Sequence, residues 1–84
     1  GYNEETIPSY YASQGALDKL KWVRDRGCNW DEATMRLAVS AGHLHVVKYC
    51  HENKCPHNSD LGFYAALHGR LPILQYLHSK GYPW

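Results

Sequence analysis

Apolar positions in this chain return in a fixed register of 27 residues. Gly15, Gly42 and Gly69 mark the step, and Leu17, Leu44 and Leu71 follow each glycine by two. Behind them come Leu20, Val47 and Leu74, then Trp22, Tyr49 and Tyr76, then Val23, Cys50 and Leu77. The frame continues through Gly27, Lys54 and Gly81 and through Cys28, Cys55 and Tyr82 to Trp30, His57 and Trp84. Self-similarity at a fixed period is the mark of a repeat architecture. It divides one domain, residues 1–84, into three units: Glu4 to Trp30, Asp31 to His57 and Asn58 to Trp84.

Each unit predicts a helix, a tight turn, a second helix and a loop. Asp31 and Asn58 are N-cap residues able to satisfy the free amides of a first helix, with Glu4 a poorer cap in the same place. The glycine ends that helix, because the chain turns there through a backbone conformation that glycine tolerates. The second helix carries an apolar stripe, which in the middle unit is Leu44, Val46, Val47, Tyr49 and Cys50. Pro56 and Pro83 bar its continuation. One such hairpin cannot bury its own apolar face, so the units must stack, and three is about the smallest stable number. The expected fold class is therefore all-α, a solenoid of three helix-turn-helix repeats.

The segment Gly42 to Tyr49, GHLHVVKY, with the small pair Ala65 and Ala66 ahead of Gly69, resembles the ankyrin repeat. The likeness covers nearly the whole chain and departs from the family in two respects. Ankyrin units run to about 33 residues, so these are short, and the loss falls in the loop that would form the projecting β-turn finger. The usual threonine-proline-leucine-histidine opening is replaced by Ala33-Thr34-Met35-Arg36 in the middle unit. The turns GCNWD, Gly27 to Asp31, and GYPW at the end are similar to a variant class associated with oomycetes, other protists and giant viruses. The resemblance implies a protein-binding module whose partner lies along the first helices and turns. Carried onto this frame, it implies contact residues Tyr10, Ser13, Gln14, Arg36, Ser40, Tyr64 and His68, with the turn residues Trp30 and His57. Leu67 and Ala41 adjoin this strip and are open to packing instead. A shortened finger implies a shallow groove, suited to a helix or a flat surface.

Charge adds little. Nine Lys and Arg stand against eight Asp and Glu, a net of +1, which provides no basic field for nucleic acid. No apolar run approaches the length of a membrane helix, and GYNEETIPSY lacks the layout of a signal peptide. Three cysteines are too few, and odd in number, for a disulfide framework, which favours a reducing, intracellular setting.

Candidate chemistry is sparse. Cys50-His51 and Cys55-Pro56-His57 offer ligand types that zinc accepts, a minor alternative. However, Cys50 holds the stripe place of Val23 and Leu77 and reads as a small core residue. His51 and His78 correspond to Arg24, a polar ladder along the second helices, and His43 at the inter-helix turn is expected to make a structural hydrogen bond. No catalytic motif or phosphate loop is present, so no enzyme activity and no cofactor are expected. Trp22, Tyr49 and Tyr76 should join neighbouring hairpins, whereas Trp30 and Trp84 are either interface anchors or cover for the adjacent unit. Two further functions stay open: an effector that engages another organism's proteins, and a structural piece of a longer solenoid. The last hairpin, around Ile73, Leu74, Tyr76 and Leu77, is expected to be exposed and adhesive, leading to self-association or to continuation of the array. Lys19, in the place of Val46 and Ile73, should make the first unit's outer side polar.

Overall fold

The computed structural model describes residues 7–83, all of whose regular structure is helical. Six helices follow in order: α1 Pro8–Gln14, α2 Leu17–Asp25, α3 Glu32–Ala41, α4 Leu44–Glu52, α5 Leu61–Leu67 and α6 Leu71–Ser79. They pair as the hairpins α1/α2, α3/α4 and α5/α6. The first helices lie side by side, α1 on α3 and α3 on α5, while α4 packs on α6. The principal extents are 35 × 20 × 19 Å. No helix among the described residues is long and apolar enough to cross a membrane.

Helix ends follow the repeat. Gly15 and Gly42 cap α1 and α3 in the left-handed conformation, with φ of 71° and 86°. The amide of the residue after each of Gly15, Gly42 and Gly69 then returns to a carbonyl five residues back, from Ala16 to Tyr11, His43 to Ala38 and Arg70 to Ala65. The second helices close in the same way, from Cys28 to Val23, Cys55 to Cys50 and Tyr82 to Leu77. These six-to-one bonds satisfy carbonyls that a helix end otherwise leaves free.

The helix starts are less uniform. Asp31 accepts a 3.1 Å hydrogen bond from the Ala33 amide, as its N-cap place requires. Asn58 does not do the same. The residue before α5 is Asp60, without a side-chain cap, and the helix begins at Leu61. Gly62 stands in the frame where Met35 stands, and a glycine in the first turn weakens helix formation there by about 1 kcal/mol. The chain stays in a turn through Asp60, too far along for Asn58 to cap it. In the first unit Pro8 starts α1 after an uncapped Ile7. Glu4 and Trp84 lie outside the described residues.

One core runs the length of the row. It contains Ala12, Leu20 and Val23 of the first hairpin, Met35, Ala38, Val39, Val46, Val47 and Cys50 of the second, and Leu61, Ala65, Ile73 and Leu77 of the third. Thr34 is also fully buried, and its hydroxyl has no hydrogen-bond partner among the described residues.

Two expectations about the ends are corrected. Ile73 and Leu77 are buried and Leu74 and Tyr76 half-buried, because α6 turns its stripe inward. The exposed apolar surface lies instead on α5 and the start of α6: Phe63 is 59% exposed, Leu67 62% and Leu71 60%. In earlier units the places of Phe63, Ala66 and Leu67 are held by Ser9, Ala12 and Ser13 and by Arg36, Val39 and Ser40. All of those are buried or half-buried. Trp22 is the second correction, being 53% exposed under the Arg26 guanidinium. Its counterparts lean toward the preceding unit, Tyr49 on Trp30 and Tyr76 on His51, and among the described residues unit one has no such neighbour. Lys19 is exposed where Val46 and Ile73 are buried, for the same reason.

Candidate functional site

The first helices bring part of the expected strip together. Tyr10 and Tyr64 occupy equivalent places on α1 and α5, with the half-buried Leu37 of α3 between them in the frame. Tyr10 is exposed and meets Tyr11 edge-on at 5.5 Å, while Tyr64 is half-buried beside Phe63 at the same separation. Arg36 is half-buried on α3. At the inter-helix turn end, Gln14 and His68 are exposed, and Ser13 and Ser40 are half-buried.

Those serines serve the stack as well. The Ser13 hydroxyl donates to the Tyr10 carbonyl at 2.7 Å, closing on its own helix. The Ser13 carbonyl is hydrogen-bonded by His43 Nε2 at 3.1 Å, and the Ser40 carbonyl accepts from Arg70 Nε at 3.1 Å. His43 and Arg70 are one repeat apart, so each hairpin reaches back from the start of its second helix to hold the end of the previous first helix. The glycines make room for this reach. A Cβ on Gly15 would stand 2.7 Å from the His43 ring, and one on Gly42 would stand 2.9 Å from Arg70 Nε. His43 therefore makes the structural hydrogen bond expected of it. His45 adds another, from Nε2 to the Gly15 carbonyl at 3.0 Å. Periodicity alone hid the pairing, because histidine and arginine share a place without sharing a residue type.

Trp30 and His57 separate from the strip. Trp30 packs edge-on against Tyr49 at 5.7 Å, with the Arg24 guanidinium 4.2 Å from its ring. Both neighbours belong to second helices, α4 and α2. Of the two roles open to Trp30, the one observed is to cover the joint between units one and two. His57 is exposed and lies 4.7 Å from the Tyr82 ring. The cause is local: the closing turn after each second helix folds the following residues back over that helix.

At the second joint the same places form a depression of about 610 Å³. His57 replaces Trp30, Tyr76 replaces Tyr49, His51 replaces Arg24 and Tyr82 replaces Cys55. The smaller imidazole leaves space that the indole fills one unit earlier. Lys54, Pro56, Lys80 and Tyr82 line it with the two histidines. The Tyr82 hydroxyl and His51 Nδ1 are hydrogen-bonded at 2.6 Å. Burial, then the neighbouring Tyr76 and the Cys55 and Cys50 thiols, push the Tyr82 phenol above its ordinary range, so it is neutral at neutral pH. Lys54 is the one non-glycine residue with positive φ among those described, at 59°, where the sibling units have Gly27 and Gly81.

The cysteines point inward. Cys55 is buried and its thiol faces the Asp31 carbonyl at 3.6 Å. Cys50 is fully buried, and a hydrogen bond with Cys55, followed by burial, drives its ionisation far above the thiol range. A neutral buried thiol is neither a nucleophile nor a metal ligand. Among the described residues, no three His, Cys, Asp or Glu side chains are grouped to hold a metal ion.

Compared with protein-family models, with curated proteins and with solved structures, the chain gives no match.

Proposed function

We propose that the chain is a non-enzymatic protein-binding module, an ankyrin-like stack of three short repeats that takes a partner protein across its first helices. The observation that carries this reading is the side-by-side setting of α1, α3 and α5. The exposed Tyr10 and Gln14 belong to α1, the half-buried Arg36 to α3, and the half-buried Tyr64 and exposed His68 to α5 and its C-terminal end, so α3 stands between the two outer groups. Amphipathic aromatics with arginine make up the residue mix that supplies most binding energy at protein interfaces. The short loops of a 27-residue repeat imply a shallow groove, which suits a helix or a flat face.

The test compares affinity capture by the parent with capture by a Tyr10→Ala, Tyr64→Ala, His68→Ala variant and by a control carrying Lys21→Ala and Lys48→Ala on the second helices. A partner lost from the first variant and kept by the control supports the strip. Equal retention by all three would place the binding face elsewhere.

A second reading rests on α5. Its Phe63, Ala66 and Leu67 stand where α1 and α3 receive the next hairpin. That face is fitted to a further helical hairpin in the same register, supplied by a longer array or by another copy of the chain. Light scattering against concentration separates these: a rise in mass supports another copy, and a constant monomer leaves the longer array.

A further inference from the structure

The geometry points to an anion site at the second joint, a pocket for a phosphate monoester formed by Lys54, His57, Lys80 and the His51–Tyr82 pair. Four observations converge on it. The depression of about 610 Å³ lies between two successive loops, so it is shaped by the stack and not by one flexible segment. Its side chains include two ammonium groups, two imidazoles and a neutral phenol, and among the described residues no carboxylate lines it. In a chain of net charge +1 this is a local concentration of donors, to which the mutually hydrogen-bonded His51–Tyr82 pair contributes one outward proton. Such donors suit a dianion with three acceptor oxygens.

The third observation is backbone strain. Lys54 holds a φ of 59° at a place that glycine fills in both sibling units, and a side chain is strained there. Helix closure would be better served by glycine, yet the side chain present is a cation on the pocket's edge. The fourth is the contrast with the first joint, where Trp30 covers Arg24 and Tyr49 and the place of Lys54 is Gly27. At the open joint Lys54 and Lys80 stand in the places of Gly27 and Asn53, while His51 stands in the place of Arg24, so the cations sit on the two loops and not on the second helix. Lys80 lines the depression and also faces the Tyr76 ring at 5.6 Å.

The donors do not distinguish a free small phosphate from a phosphorylated side chain of a protein, and the assay separates the two. The ¹⁵N-labelled chain is titrated at constant ionic strength with inorganic phosphate, with a phosphoserine peptide and with its unphosphorylated form. Saturable shifts centred on Lys54, His57, Gly81 and Tyr82 are expected with both phosphates and not with the unmodified peptide. A phosphopeptide that binds at least tenfold tighter than phosphate assigns the source to a protein, and equal affinities assign it to a small molecule. Lys54→Gly relieves the strained backbone while removing the charge, so it should melt no lower than the parent and bind about tenfold more weakly. His57→Trp should fill the pocket as Trp30 fills its own and abolish the shifts. Shifts spread over Lys19, Lys21 and Lys48, or unchanged affinity in Lys54→Gly, would overturn the assignment.

Discussion

Substituting Gly42 by alanine disturbs one joint of the stack in two separable ways. The residue has a φ of 86°, and an L side chain there costs about 1–2 kcal/mol whatever surrounds it. The new methyl would also come within 2.9–3.0 Å of Nε, Cδ and Cζ of Arg70. The guanidinium must move and give up its 3.1 Å hydrogen bond to the Ser40 carbonyl, a charge-assisted bond of about 1–2 kcal/mol at a half-buried place. Gly69 is the internal control. It has a φ of 66°, and nothing lies within 4 Å of its added Cβ, so Gly69→Ala incurs the backbone cost alone. Gly42→Ala should therefore destabilise by about 2–4 kcal/mol and Gly69→Ala by about 1–2. Urea unfolding monitored by far-ultraviolet circular dichroism measures both. The same pair in an Arg70→Ala background closes a mutant cycle, and there the two glycine substitutions should cost the same. If they already cost the same with Arg70 present, the reach of each hairpin to its predecessor contributes nothing, and the reasoning fails.

Other substitutions examine the core and the ends. Thr34→Val keeps the volume and removes a buried hydroxyl without a partner, so it should raise stability by about 1 kcal/mol in the same unfolding assay. Phe63→Ser with Leu67→Lys should lower any concentration-dependent light scattering while leaving the melting temperature nearly unchanged, since both side chains are mostly in water. The Cys50 thiol and the Tyr49, Tyr76 and Tyr82 phenols all have raised ionisation in the fold. Their stabilisation is complete below the ordinary values, 9.0 for the thiol and 10.0 for the phenols, and is lost as pH rises beyond them. Urea midpoints should hold steady to about pH 8.5 and fall above about pH 9. Cys50→Val, which adopts the residue of the first unit, should delay that fall toward about pH 10.

Much of this architecture was legible in the chain because repetition turns long-range packing into a local pattern. The glycine step located the inter-helix turns at Gly15, Gly42 and Gly69, and the apolar stripe identified Val46, Val47 and Cys50 as core. Both follow from backbone geometry and helical spacing, which act over a few residues. What required the tertiary structure was everything set by a neighbouring unit. Trp22 and Tyr49 share a place in the repeat, yet one is in water and the other packs on Trp30, because only the second has a preceding hairpin among the described residues. Ile73 and Leu77 are buried and Phe63 and Leu67 exposed, because the uncovered side of the last hairpin is α5 and not α6. The bonds from His43 to Ser13 and from Arg70 to Ser40 join residues 30 positions apart, and no local rule pairs a side chain at the start of a second helix with a carbonyl of the preceding unit. The pocket at Lys54 and His57 has the same origin: a periodic sequence specifies equivalent joints, and only packing reveals which joint its side chains leave open.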